Sequence, residues 1–146
     1  MQTTYLAWQL ATWFGARLER ELGPLGLTRA QLNALQHAAD NPGITSATAA
    51  RRTGITPQSI GAAVAGLLEA GRLRRERHPD NARMGALFIT EEGRRVLDEA
   101  QRAVSRLNEE ALAALSTAER TELHRVLLAL VSQHAPDVVP AEERRR

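Results

Sequence analysis

Four side chains, His37, His78, His124 and His134, could exchange a proton near neutral pH or hold a metal, and their spacing gathers none of them. They fall on separate stretches, with no HxxxH or HExxH pair and no carboxylate pair beside them at metal-ligand spacing, so each reads as a surface or core-edge histidine. Cysteine is absent, which removes disulfides, thiolate zinc sites, a cysteine nucleophile and a thiol-based sensor. Lysine is absent as well: all 19 basic residues are Arg, so no lysine can serve a P-loop or a Schiff base. Ser, His and Asp occur without a nucleophile elbow, and Gly61, Gly66 and Gly71 fall within or at the end of an expected helix, not in a phosphate loop. The sequence is therefore not read as an enzyme, and no cofactor is expected.

The chemistry that is left belongs to arginine. The net charge is only +2, but residues 44–95 carry nine Arg against five acids and residues 96–143 carry four Arg against nine acids. A basic block followed by an acidic one suits a polyanion bound through the middle of the chain. Six of its nine Arg are the candidates for that contact: Arg51 and Arg52, then Arg74, Arg75, Arg77 and Arg83.

These groups must be held by a scaffold, and 146 residues at 43% apolar and 25% charged make one globular unit, 1–146, with a core of its own. No apolar run approaches the roughly 18 residues of a membrane span. The N-terminal MQTTYLAWQLATWF has no basic leader, so a cytoplasmic protein without membrane association is expected.

Apolar residues at three- and four-residue steps predict a first helix over 5–22, with Leu6, Leu10, Trp13, Phe14, Leu18 and Leu22 on one stripe. Gly23-Pro24-Leu25-Gly26 breaks it, and Thr28 caps a second helix carrying Leu32, Leu35 and Ala39. After the turn Asp40-Asn41-Pro42-Gly43, Thr45 or Ser46 caps a short third helix through Thr53, ended by Gly54. Thr56-Pro57 opens the fourth, with Ile60, Val64, Leu67 and Leu68 inward. Segments 72–78 and 85–90 read as a β-hairpin around Pro79-Asp80-Asn81-Ala82-Arg83-Met84, with Leu87 and Ile89 on one face of the second strand. A long helix from Glu91 to about Leu115 repeats apolar residues near a 3.5-residue period. The capping box Ser116-Thr117-Ala118-Glu119 opens a last helix with Leu123, Val126, Leu127, Leu130 and Val131 inward, and the tail 136–146 is expected to be flexible.

The third and fourth helices have helix-turn-helix spacing, with Ala50, Gly54, Ile55 and Ile60 where close packing and a tight turn require them. A basic hairpin directly after them makes a winged helix. The expected fold is thus mostly α with a small β-hairpin wing: a winged helix-turn-helix over 28–95 flanked by dimerisation helices over 1–27 and 96–135.

That order of parts resembles the MarR family of bacterial transcription regulators. The resemblance is carried by Leu27-Thr28-x-x-Gln31-x-x-x-Leu35, Thr56-Pro57-Gln58-Ser59, Leu67-x-x-x-Gly71-x-Leu73-x-Arg75, Asn81-x-Arg83 and Ile89-Thr90-x-x-Gly93. It implies a homodimeric repressor or activator on double-stranded DNA, with the fourth helix in the major groove, the wing at the minor groove, and the first, fifth and sixth helices forming the dimer. Under that reading Thr56, Gln58, Ser59 and Ala62 face the groove, where Gln can pair with adenine and Ala can touch a thymine methyl. Arg51 and Arg52 meet phosphate, and Arg74, Arg75, Arg77 and above all Arg83 serve the wing.

The sequence departs from the family pattern at Asn81, where an Asp usually precedes the wing Arg by two positions, and at Ala62, Ala65 and Gly66, where the outward face often carries Arg and Asp. Direct readout then rests on few groups. The alternative is a winged-helix dimerisation or protein-interaction module that does not read DNA. The resemblance further implies a small aromatic effector, with Trp8, Trp13, Arg17 and His37 as candidate walls of its crevice.

Overall fold

A computed structural model describes residues 1–77 and 85–139. Helix α1 (Thr3–Leu22) ends in a 3-10 turn over Gly23–Leu25, and α2 (Arg29–Asp40), α3 (Ser46–Thr53) and α4 (Pro57–Glu69) follow. Strands β1 (Leu73–Arg77) and β2 (Gly85–Ile89) pair antiparallel before α5 (Glu91–Ala111), α6 (Thr117–His134) and a final 3-10 turn, Pro136–Val138.

Side-chain caps set most of these boundaries. Thr28 Oγ1 accepts from Gln31 N at 3.2 Å while Gln31 Oε1 accepts from Thr28 N at 2.9 Å, closing the first turn of α2 from both sides. Thr45, not Ser46, caps α3, Thr56 caps α4 with Pro57 at the first helical position, and Thr90 caps α5.

The core sits where α1, α2, α4, α5 and the hairpin meet. Leu22, Leu35, Ile60, Val64 and Leu67 are fully buried there, joined by Leu73, Leu87, Val96, Leu97 and Ala100. Each large side chain so buried contributes about 1.5 to 3 kcal/mol. Ala63 is buried as well, whereas Leu68, expected inward, is only partly covered. Ile44 adds an isolated antiparallel bridge to Leu87 on the far side of β2, which no alternation in the sequence announces.

Two expectations are corrected. Helix α5 ends at Ala111, because Ala113 N turns back to Glu110 O and Leu115 N to Leu112 O; Leu115 continues the apolar period but lies in the turn. Helix α6 buries no residue within the chain: Val126, Leu127, Leu130 and Val131 are 38–50% exposed, so its apolar face points away from its own subunit. After Ala135 the chain forms the 3-10 turn Pro136–Val138 and Val139 is buried; residues 140–146 lie outside the described residues.

The first half of α1 shares the exposure of α6. Leu6, Trp8 and Leu10 stand open, while the second half is tied to α5 by the ion pairs Arg17 to Glu110 and Arg106 to Glu21. Among the described residues no helix is long and apolar enough to cross a membrane.

Candidate nucleic-acid interface

Ala49 and Ala50 are buried on α3, which packs against α4. Gly54 takes φ +65°, a left-handed conformation that glycine accepts without strain, and reverses the chain in three residues. Ile55 packs against the core and Ile60 is fully buried, which fixes α4 and leaves its opposite face open.

That open face begins at the helix N-terminus. Thr56 Oγ1 accepts from Ser59 N at 3.2 Å and donates to Ser59 Oγ at 2.9 Å. The Ser59 proton is then available to an outside acceptor. Gln58, Gly61, Ala62 and Ala65 are exposed beside it, giving a low-relief surface with one amide and one hydroxyl. Gly66 does not belong there: it is partly buried, with the amide of Gln31 so near that a β-carbon would lie 2.8 Å from Nε2.

Exposed cations stand on the elements before and after α4 in the chain. Arg51 is exposed and its guanidinium reaches Thr48 Oγ1 at 3.0 Å; Arg52 is exposed and donates to Asn41 Oδ1. Asn41 in turn donates to the carbonyl of His37 at 3.2 Å. His37 is half-buried, and burial first, then the Arg52 charge, hold its imidazole below the ordinary value, against a smaller opposing pull from Asp40.

On the hairpin the arginines divide by strand face. Arg74 pairs across to Phe88, with its guanidinium 4.6 Å from the ring centroid, and also forms an ion pair with Glu76. Arg75 and Arg77 point to the other face, and the aliphatic stem of Arg75 covers Gly85. Both are exposed. Arg83, with His78, Asp80 and Asn81, lies outside the described residues.

A residue that the sequence reading passed over holds the base of the hairpin. Arg72 donates to Gly26 O at 2.9 Å and Leu25 O at 2.7 Å, clasping the turn that ends α1. Its own carbonyl accepts from Thr90 N at 3.1 Å and Thr90 Oγ1 at 3.1 Å. The only hint in the sequence is its place between Gly71 and Leu73.

The effector candidates have three different sets of neighbours. Tyr5 and Trp8 are tilted together at 5.9 Å, and the Arg17 guanidinium lies 5.7 Å from the Trp13 ring while paired with Glu110. His37 instead neighbours Asn41 and Arg52. A shallow depression lined by Asp98, Gln101, Arg102, Ser105 and Arg106 lies on α5 and includes none of the four candidates. Among the described residues no cluster of His, Asp and Glu could hold a metal.

With this geometry in hand, similarity to known proteins is informative. The family model described as the MarR family matches residues 25–84. The chain is 28% identical over 123 residues to the HTH-type transcriptional repressor Rv2887 of Mycobacterium tuberculosis, covering 84% of this chain and 88% of that protein. It is 31% identical over 126 residues to the HTH-type transcriptional regulator MT0903.1 of the same species, covering 80% and 87%. A crystal structure of Rv2887 in complex with DNA superposes with a TM-score of 0.74 at 26% identity, over 89% of this chain and 98% of that one. Another holds p-aminosalicylic acid, with a TM-score of 0.73. The transcriptional regulator SlyA shares the fold, with a TM-score of 0.84 at 24% identity over 94% and 97% of the two chains.

Proposed function

The chain belongs to the MarR family, and from that membership we propose that it is a dimeric DNA-binding transcriptional regulator, a repressor released by a small aromatic effector. The observation that carries this reading is the exposed, low-relief N-terminal face of α4, with Arg51 and Arg52 exposed on the helix before it and Arg75 and Arg77 exposed on the hairpin after it. Small residues let the helix sit deep in the major groove, Gln58 and Ser59 meet base edges, and the arginines meet phosphate. Arg83 enters the minor groove in this reading, and Thr56 orients Ser59.

Two such faces on one side of a twofold dimer would meet half-sites about 34 to 36 Å apart, and the open apolar faces of α1 and α6 supply the dimer surface. Repression is blockade, not chemistry, and takes place in the cytoplasm. For the effector, the relative's complex with p-aminosalicylic acid directs attention to an aromatic wall beside a cation, which Trp13 and Arg17 offer, with Trp8 and His37 as outer candidates. Ala62, Ala65 and Gly61 favour a second reading, a winged-helix interaction module without readout.

Selection from random duplexes followed by a titration at several salt concentrations tests the proposal. A symmetric motif bound with a steep negative salt dependence, as expected for about 6 to 10 phosphate contacts, supports it. Absence of binding at low salt overturns it in favour of the module.

A further inference from the structure

Helix α6 buries no residue along its length, yet the turn that follows it docks on the helix-turn-helix. Ala135 N bonds Val131 O at 2.7 Å, Val138 N bonds Ala135 O at 3.1 Å and Val139 N bonds Pro136 O at 3.2 Å, so the chain coils back toward α3. Val138 Cγ1 lies 3.3 Å from where a β-carbon on Gly54 would stand, and Val139 is 4% exposed. The contact therefore falls on the left-handed residue that sets the angle between α3 and α4. One end of α6 is fixed near α5 by Arg120, which reaches Glu109 and the carbonyl of Leu115. The other end is fixed by Val138 at the turn that aims α4, and the next residue, Val139, is buried.

We propose that the Val138–Val139 turn is a positioning element, a strut that holds the reading helix at a set angle to α6 and so sets the separation of the two reading helices in the dimer. It rests on the reading of this protein as a dimeric DNA-binding regulator. Neither valine touches DNA; both act through Gly54. Bivalent binding gains from simultaneous engagement only when the two heads match the span between half-sites, and a loosened head forfeits that gain without losing its own contacts.

The test compares the full chain with a Val138→Ser, Val139→Ser double variant on three duplexes: one half-site, the full symmetric operator, and operators lengthened by one or two base pairs. Sedimentation should find both proteins dimeric. Half-site affinity should be unchanged, full-operator affinity should fall at least about tenfold, and discrimination against lengthened operators should flatten. Parental full-site affinity and spacing discrimination in the variant would overturn the strut. So would an equal loss on half-site and full site, which is the mark of a merely destabilised domain. If the double variant does not fold, Val138→Ala is used, and a spacing profile identical to the parent's overturns the inference. A parent that binds no duplex overturns the regulator reading itself, a failure visible before any variant is made.

Discussion

Gly93 lies so close to Arg72 that a β-carbon on residue 93 would overlap the Arg72 carbonyl oxygen. That oxygen already accepts from Thr90 N and shares the single Thr90 hydroxyl proton with Gly71 O, which lies nearer at 2.7 Å, while Thr90 Oγ1 accepts from Gly93 N at 3.0 Å. The start of α5, the end of β2 and the turn after α4 meet at this one carbonyl. Gly93→Ala should therefore destabilise the fold by about 1 to 3 kcal/mol. In urea the midpoint should drop with an unchanged slope, and an unmoved midpoint would mean that the junction yields freely.

The division of the hairpin arginines gives a prediction for salt titrations. Arg75→Ala and Arg77→Ala should each flatten the dependence of log K on log salt by about 0.9, one phosphate contact. Arg74→Ala should change it much less, since Glu76 and Phe88 already occupy that guanidinium. Equal slopes for all three variants would refute the division by face. Arg83→Ala should weaken operator binding by about 1 to 3 kcal/mol at constant thermal stability.

Leu127 and Leu130 are 44% and 50% exposed within one subunit, so a charge there meets water in the monomer and apolar surface in the dimer. Leu127→Glu with Leu130→Glu should yield a folded monomer of half the parental mass, read by sedimentation, with helical circular dichroism retained. A dimer of parental stability would show that α6 lies outside the interface.

His37 gives a pH dependence. Its folded-state value is held below the ordinary 6.5, so the unfolded chain takes up the proton first. The stabilisation from the neutral imidazole is complete above about pH 6.5 and is lost as the pH falls from there through the depressed folded value. His37→Gln should remove that loss. Denaturation of both proteins between about pH 5 and 7.5 tests it, and parallel curves would assign the loss to other groups. Glu92, held low by Arg95, and Glu119, held low by Ser116, act in a more acidic window, because their values start from 4.5 and move down.

Local chemistry made parts of this fold legible in the sequence. Thr56-Pro57, the Thr28 and Gln31 pair and the Ser116 and Glu119 pair each bond within four residues, so residue type alone locates them. Gly54 and the hairpin strands follow from the same logic. Helix α5 was harder to end, because Leu115 keeps the apolar period while no Gly or Pro marks the turn. The period of α6 says that one face leaves water but not whose surface covers it, and the answer is not its own chain. Ile44 pairs with Leu87 through a single bridge, too short to leave a pattern. At the candidate site, composition brought the arginines into view, but only the pairing of Arg74 with Phe88 separates it from Arg75. Arg72 reaches backbone carbonyls far away in sequence, and a carbonyl has no residue type to read.

The reciprocal bonds of Ser116 and Glu119 close the first turn of α6 with atoms of α6 alone, and the neighbouring pair Glu122 and Arg125 adds a local tie one turn on. Nothing in that start waits for a second subunit. Within one chain α6 has these local ties and an uncovered apolar side, and dimer assembly has to cover it. Its pace should follow the square of cellular abundance, and scarcity, by prolonging the time each chain spends alone, would expose it to sticking elsewhere.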